Sequence, residues 1–296
     1  VSTSTAEAAP PAAVAPASLS HSADADILVN DARPLRLSAF LAGFWANRAL
    51  IMVLARKDFY VRYRRSWLGL FWVLLVPLVQ ASVLTAVFSH VGRFSAGVPH
   101  YPIYVFSGFL AWSFFASSLT AGSTAIVDGK ELAGRVYFPR AVLPAVKLAT
   151  DSFGLASSVG ILVVLSVVFG VHLGLRTLIL LPALALLLAL TMGFTLVLSA
   201  LHVHFRDVRF IVSTVILPWF YVTPVFYRPE QLSGSLGRLL AYNPVSGVLD
   251  AIRAATVGAG PGWRTAVTVS GAVAALLLLA GMEMHRRLDR TFIDKL

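Results

Sequence analysis

Three features of this 296-residue chain predict an all-α membrane protein with six transmembrane helices per protomer. Its composition is 57% hydrophobic and only 13% charged, with a mean hydropathy of +0.79, whereas a soluble domain carries roughly 25% charged residues. Apolar runs recur along it, most of them free of charge, and each is near the ~20 residues that take a helix across a ~30 Å hydrocarbon core. Lys and Arg gather at the ends of those runs, the distribution left when cations are held on the cytoplasmic side of a membrane.

Residues 1–33 are rich in Ala, Pro and Ser. Such a stretch buries too little apolar surface to offset its ordering entropy, so a disordered cytoplasmic tail is expected. It lacks the basic start and apolar core of a signal peptide. Residues 34–65 are expected to form an N-terminal amphipathic helix. Leu37, Phe40, Leu41, Phe44 and Trp45 fall on one face, and Arg36, Asn47 and Arg48 supply the polar side. That pattern suits a helix lying in the interface plane or an ordinary packing helix.

The six-span domain is expected over residues 66–284. Five cations, Arg56, Lys57, Arg62, Arg64 and Arg65, precede the uncharged run Trp67–Ser89, so one stretch marks both the first span and its direction. A second span is expected from Pro102 to Val127. The segment 128–140, DGKELAGRVYFPR, is too polar to enter lipid. A third span, Ala141–Gly170, carries Lys147 and Asp151, four apart and in register to pair on one helix. A fourth runs over Thr177–Leu201. The polar turn 202–209 follows, where Arg206 and Asp207 read as a helix-end ion pair. The fifth span starts near Phe210 and is interrupted by Pro218, Pro224 and Pro229.

Residues 228–264 mix polar and apolar patches, which fits re-entrant helices between the fifth and sixth spans, provided that protein or water covers their backbone. Thr265–Met284 is the sixth span, and 285–296 is a basic cytoplasmic tail. On this topology seventeen Lys and Arg lie on the side of both termini and six on the other, so both termini are expected to be cytoplasmic.

The chemistry is narrowed by what is present and where. There is no Cys, so disulfides and thiolate metal ligands are excluded. The net charge of +10 would suit nucleic acid. The cations, however, sit where runs end, facing the anionic head groups of membrane lipid, and no nucleic-acid partner is expected. Trp72, Trp112, Phe115, Trp219 and Tyr221 are candidates to line a channel, with rings that can stack on sugar faces. An interfacial belt accounts for Trp and Tyr equally well.

Four stretches resemble the ABC-2-type permease subunits that export lipid-linked polysaccharides such as O-antigen, teichoic acid or capsule. They are Arg56–Pro77, Val136–Pro144 (VYFPRAVLP), Phe205–Val208 with Pro224 and Tyr227, and Tyr242–Val245 (YNPV) followed by Arg253. The resemblance implies a bacterial cytoplasmic-membrane protein, multi-pass and homodimeric, docked on two copies of a separate ATPase subunit. That subunit would bind ATP and Mg, with no cofactor, catalytic residue or metal in this chain. Consistent with this, no G-x4-G-K-[ST] phosphate loop occurs.

The resemblance also implies site residues. Segment 128–140 would couple to the ATPase through Lys130, Glu131, Arg135, Tyr137 and Phe138. The 34–65 helix would be the gate helix near the carrier pyrophosphate, which Arg62, Arg64 and Arg65 suit by their forked donors. Alternatively, these arginines only hold orientation. The substrate class implied is a lipid-linked glycan, a cell-wall galactan among the candidates; the alternative within the family is a drug or small lipid. A membrane glycosyltransferase would need carboxylates spaced for a metal, and Asp128, Glu131 and Asp207 are not. A secondary transporter would show internal repeats.

Overall fold

Helices account for every regular element among the residues that the structure, a computed structural model, describes: 37–288, except 65, 91–94, 136–137, 173, 230–241 and 259. The expected tail 1–33 lies outside them, as do residues 289–296 of the expected tail 285–296, whose residues 285–288 belong to the last helix. The N-terminal segment forms two helices, α1 (Leu37–Ala46) and α2 (Arg48–Tyr63). The junction is Asn47, whose side-chain amide donates to Gly43 O at 2.7 Å and draws the chain out of one continuous helix. On α1, Phe44 packs into the core, while Leu41 and Trp45 stay exposed.

Then come a 3-10 turn, Gly69–Phe71, and α3 (Trp72–His90), which accommodates Pro77. Next are α4 (Tyr101–Ser123), the short α5 (Ala125–Asp128) and α6 (Lys130–Arg135) over the polar segment, and α7 (Val142–Val168). A second 3-10 turn, Leu175–Ile179, leads into α8 (Leu180–His204). The remainder is α9 (Val208–Val222), α10 (Pro244–Ala255) and α11 (Trp263–Leu288). Among the described residues five helices are long and apolar enough to cross a membrane: α3, α4, α7, α8 and α11.

The predicted fifth span is a shorter helix than expected. Fifteen residues of α9 reach about 22 Å. The cause is local: a residue before proline is pushed out of the helical region, and Thr223, ahead of Pro224, has φ −87° and ψ 132°.

The centre of the bundle is α4, buried on nearly every side between α3, α7, α8, α9 and α10. An apolar helix with small residues on several faces can be approached from all of them. At Gly108 an added Cβ would sit 2.7 Å from the Arg253 guanidinium and 2.9 Å from Val225 O. By contrast, α3 and α9 expose apolar side chains, among them Val79, Val83, Phe210, Ile211 and Leu217.

After α9 the chain runs without helix past the N-terminal end of α4, and its backbone carbonyls are met one by one. Arg253 Nη2 donates to Pro224 O at 2.7 Å and Val225 O at 2.9 Å. Tyr101 Oη donates to Phe226 O and Tyr104 Oη to Tyr227 O, each at 2.8 Å. Asn243 ties the same turn to α10: its amide donates to Thr223 Oγ1, while its carbonyl accepts from Val245 N and Trp219 Nε1. This answers the need for buried non-helical backbone to find partners inside the protein. Of the expected re-entrant segment, 230–241 and 259 lie outside the described residues; α10 is a buried helix of about 18 Å, too short to span.

Candidate functional site

A groove of about 790 Å³ runs between α3, α4 and α9. Its α4 wall carries Ser113, Ser117, Thr120 and Thr124, spaced four, three and four apart so that they form one stripe. Several of these hydroxyls already donate within their own helix, Ser117 to Phe114 O and Thr120 to Ala116 O. Their oxygens therefore retain lone pairs that can accept from a ligand. Gln80 of α3 and Ser213 of α9 add polar groups. Asp128 and Arg209 border the end nearest the polar segment, and Asp128 accepts from Thr124 at 2.6 Å.

A smaller cavity of about 200 Å³ adjoins the groove, sharing Gln80, Ser113 and Ser117 with it. Its other walls come from α2, α3 and α7, and Arg62, Tyr63, Trp72 and Asp151 lie in them. Arg62 Nη1 donates to Asp151 Oδ1 at 2.9 Å; the Arg62 side chain is 46% exposed and that of Asp151 5%. The second carboxylate oxygen accepts from Ser118 Oγ at 3.1 Å. Burial works against the Arg62 charge, but the neighbouring Asp151 carboxylate outweighs it and raises the pKa above the ordinary arginine value.

Lys147 and Asp151 do not pair with each other, contrary to their i,i+4 spacing. Lys147 Nζ donates to Asp58 at 2.6 Å and Asp151 accepts from Arg62, so both reach from α7 to α2. The reason is packing: Ala55 of α2 is fully buried in a cluster with Val142 and Val146 of α7, and Phe59 meets Phe153 at 5.1 Å. That contact puts two opposite charges nearer than the helix neighbour. Likewise, among the described residues no ion pair joins Arg206 to Asp207; both are exposed at the start of α9. Arg64 ends α2, its guanidinium 6.0 Å from the Tyr60 ring centre, and Arg65 lies outside the described residues.

The aromatic candidates separate. Trp72 lines the Arg62 cavity, and the edge of Trp112 borders the groove. Phe115 is fully buried, packed edge-on against Phe194 and Trp219 at 5.6 and 5.2 Å, and faces no groove. A ring without a polar handle gains most by full burial. Trp219 sits in that cluster, whereas Tyr221 is exposed near the end of α9.

In the polar segment, Lys130 and Glu131 are exposed on α6. The side chain of Arg135 and all of Tyr137 lie outside the described residues. Phe138 is 1% exposed, set among Ala55, Ala125, Val142 and Leu143, so it anchors the segment to the bundle and presents no surface to a partner. Asp58 and Ser118 were missed by sequence reading; neither carries a local signal, since their partners lie on other helices.

A family model for the ABC-2 type transporter matches residues 49–257. The chain is 32% identical over 210 residues to the O-antigen export system permease protein RfbA of Myxococcus xanthus, covering 70% of this chain and 80% of that protein. Two proteins of the same description from Klebsiella pneumoniae are 28% and 27% identical over 201 residues, 68% of this chain and 77% of each. With helices long enough to cross a membrane, a polar groove among them and a match over most of the bundle, this chain belongs to the ABC-2 type transporter family.

Proposed function

We propose that this chain is the membrane permease of an ABC exporter that carries a lipid-linked polysaccharide of the O-antigen kind across the bacterial cytoplasmic membrane. The observation that carries this reading is the hydroxyl-lined groove along α4, adjoining the Arg62 cavity, inside a bundle whose outer faces are apolar. A sugar chain offers hydroxyl donors to those oxygens. Its carrier pyrophosphate suits Arg62, with Arg64 at the same helix end and Arg65 next in the sequence, because guanidinium forks match phosphate oxygens.

In this reading α9 and the turn after it complete a sixth crossing, both termini are cytoplasmic, and α1 and α2 lie at the inner interface. The exposed apolar faces of α3 and α9 flank the groove, and a second copy of the chain closes it. Two copies of a separate ATPase dock on α6 through Lys130, Glu131 and Arg135, and they alone bind ATP and Mg. The α10 region caps the outer end as a re-entrant element.

Vesicles containing the permease with its ATPase test this reading. A lipid-linked glycan should stimulate ATP hydrolysis, and Ser117→Val with Thr120→Val should reduce that stimulation about tenfold, the loss of one to two net hydrogen bonds. Hydrolysis stimulated by a small apolar compound and indifferent to those changes would instead favour a drug or small-lipid exporter.

A further inference from the structure

We propose that Asp151 determines which anions Arg62 accepts, by acting as a resident competitor that turns away single-phosphate lipid heads and yields only to a more highly charged one. The inference rests on the reading that Arg62 meets the anionic head of a lipid-linked substrate. It concerns a different residue, on a different helix, which never touches the substrate itself.

Arg62 stands at the end of α2 with nearly half its side chain exposed and a cavity before it. A bare guanidinium in such a place would be held by the phosphodiesters of ordinary membrane lipid, which vastly outnumber any carrier lipid. Here the guanidinium is not bare. Asp151 Oδ1 takes one of its five N–H groups at 2.9 Å, and Ser118 holds the other carboxylate oxygen at 3.1 Å, so the acid is fixed from two helices. The remaining N–H groups of Arg62 can still meet a ligand, but the charge that they present is largely neutralised. A phosphodiester brings one negative charge, the same as the carboxylate already in place, and gains little. A pyrophosphate brings two phosphorus centres and at least one more charge, and can use several N–H groups together.

The second α2–α7 pair supplies the contrast. Lys147–Asp58 joins the same two helices at 2.6 Å, yet neither residue lines the cavity. If the role of Asp151 were to fasten α2, the two pairs would be equivalent. Only one of them stands where a ligand can compete.

The test uses the full chain in nanodiscs, with inorganic pyrophosphate as the probe and calorimetric titration as the readout, in phosphatidylcholine with and without phosphatidylglycerol. Wild-type protein should bind pyrophosphate with an affinity that phosphatidylglycerol changes less than about twofold. Asp151→Asn keeps the shape and an acceptor for Arg62, so it should bind about tenfold more tightly in phosphatidylcholine, as expected for removing one nearby like charge. It should lose most of that gain when phosphatidylglycerol is present. Asp151→Glu, which keeps the charge, should behave as wild type, and Asp58→Asn should leave both affinities unchanged. Asp151→Ser serves if the Asn variant is not recovered.

An Asn variant that binds pyrophosphate more weakly would overturn the proposal, as would one no more sensitive to anionic lipid than wild type; in either case Asp151 merely orients Arg62 or braces α2. Pyrophosphate binding that survives Arg62→Gln unchanged would instead remove the underlying assignment of the anion site.

Discussion

Two arginines, about 21 Å apart along α4 as measured from Tyr104 to Ser118, do opposite things with the same side chain. Arg253 is 1% exposed, stacks its guanidinium 3.6 Å from the Tyr104 ring centre and donates to two backbone carbonyls. Arg62 is nearly half exposed, donates to one carboxylate and looks into a cavity. The first is built into a place where buried non-helical backbone must be satisfied, with Asp250 3.7 Å from its other nitrogen. The second keeps donors in reserve. An arginine committed to carbonyls holds structure, and one paired with a single carboxylate beside a cavity is available to a ligand.

That contrast breaks first at Arg253. Arg253→Met should destabilise the protein by ~3–5 kcal/mol, since it strips partners from buried carbonyls. Thermal unfolding in detergent would register this, and Arg253→Lys should rescue little, because an ammonium lacks the planar fork. A milder loss at Arg253 than at Arg62 would reverse the assignment. Next comes Gly247→Ala at the α10–α11 crossing, where a Cβ would meet Ala266 O at 2.1 Å; a loss of ~1–3 kcal/mol is expected from overpacking in the same unfolding assay.

Tyr101→Phe, which removes one hydroxyl from Phe226 O, should cost about 1 kcal/mol. At the other end, replacing both Arg62 and Asp151 by Gln and Asn should leave stability within ~1 kcal/mol, because the pair is removed whole. Glycan-stimulated ATP hydrolysis should nonetheless fall. The smallest effect belongs to Lys147→Met with Asp58→Asn: a pair about one-third exposed at each end contributes ~0–1 kcal/mol, further reduced by salt.

Much of the fold was legible before any coordinates. Apolar runs with few or no charges predicted α3, α4, α7, α8 and α11 to within a few residues, because the cost of burying charge in lipid is written directly into composition. The prolines of the expected fifth span flagged the break after α9, whereas YNPV stood out only as part of the resemblance; in the structure its Asn243 caps α10 and Pro244 takes the first turn. The candidate site was legible in part. Arg62, expected at the gate, and Trp72, expected along a channel, line one cavity in the structure, while Ser113, Ser117 and Thr120 escaped notice because a hydroxyl stripe on an apolar helix looks like any other small-residue face.

What the sequence alone determined is the class of the protein: which stretches are apolar enough for lipid, which are too polar, and where cations collect. These are sums over neighbouring residues, and local order suffices for them. Only the tertiary structure decided that Asp151 answers to Arg62 and Lys147 to Asp58, each partner 89 residues away. It alone buried Phe115 and Phe138, and placed Arg253 against carbonyls 28 and 29 residues earlier. Pairing of this kind depends on which helix faces meet, and meeting is settled by the packing of whole helices, to which no single spacing in the chain has access.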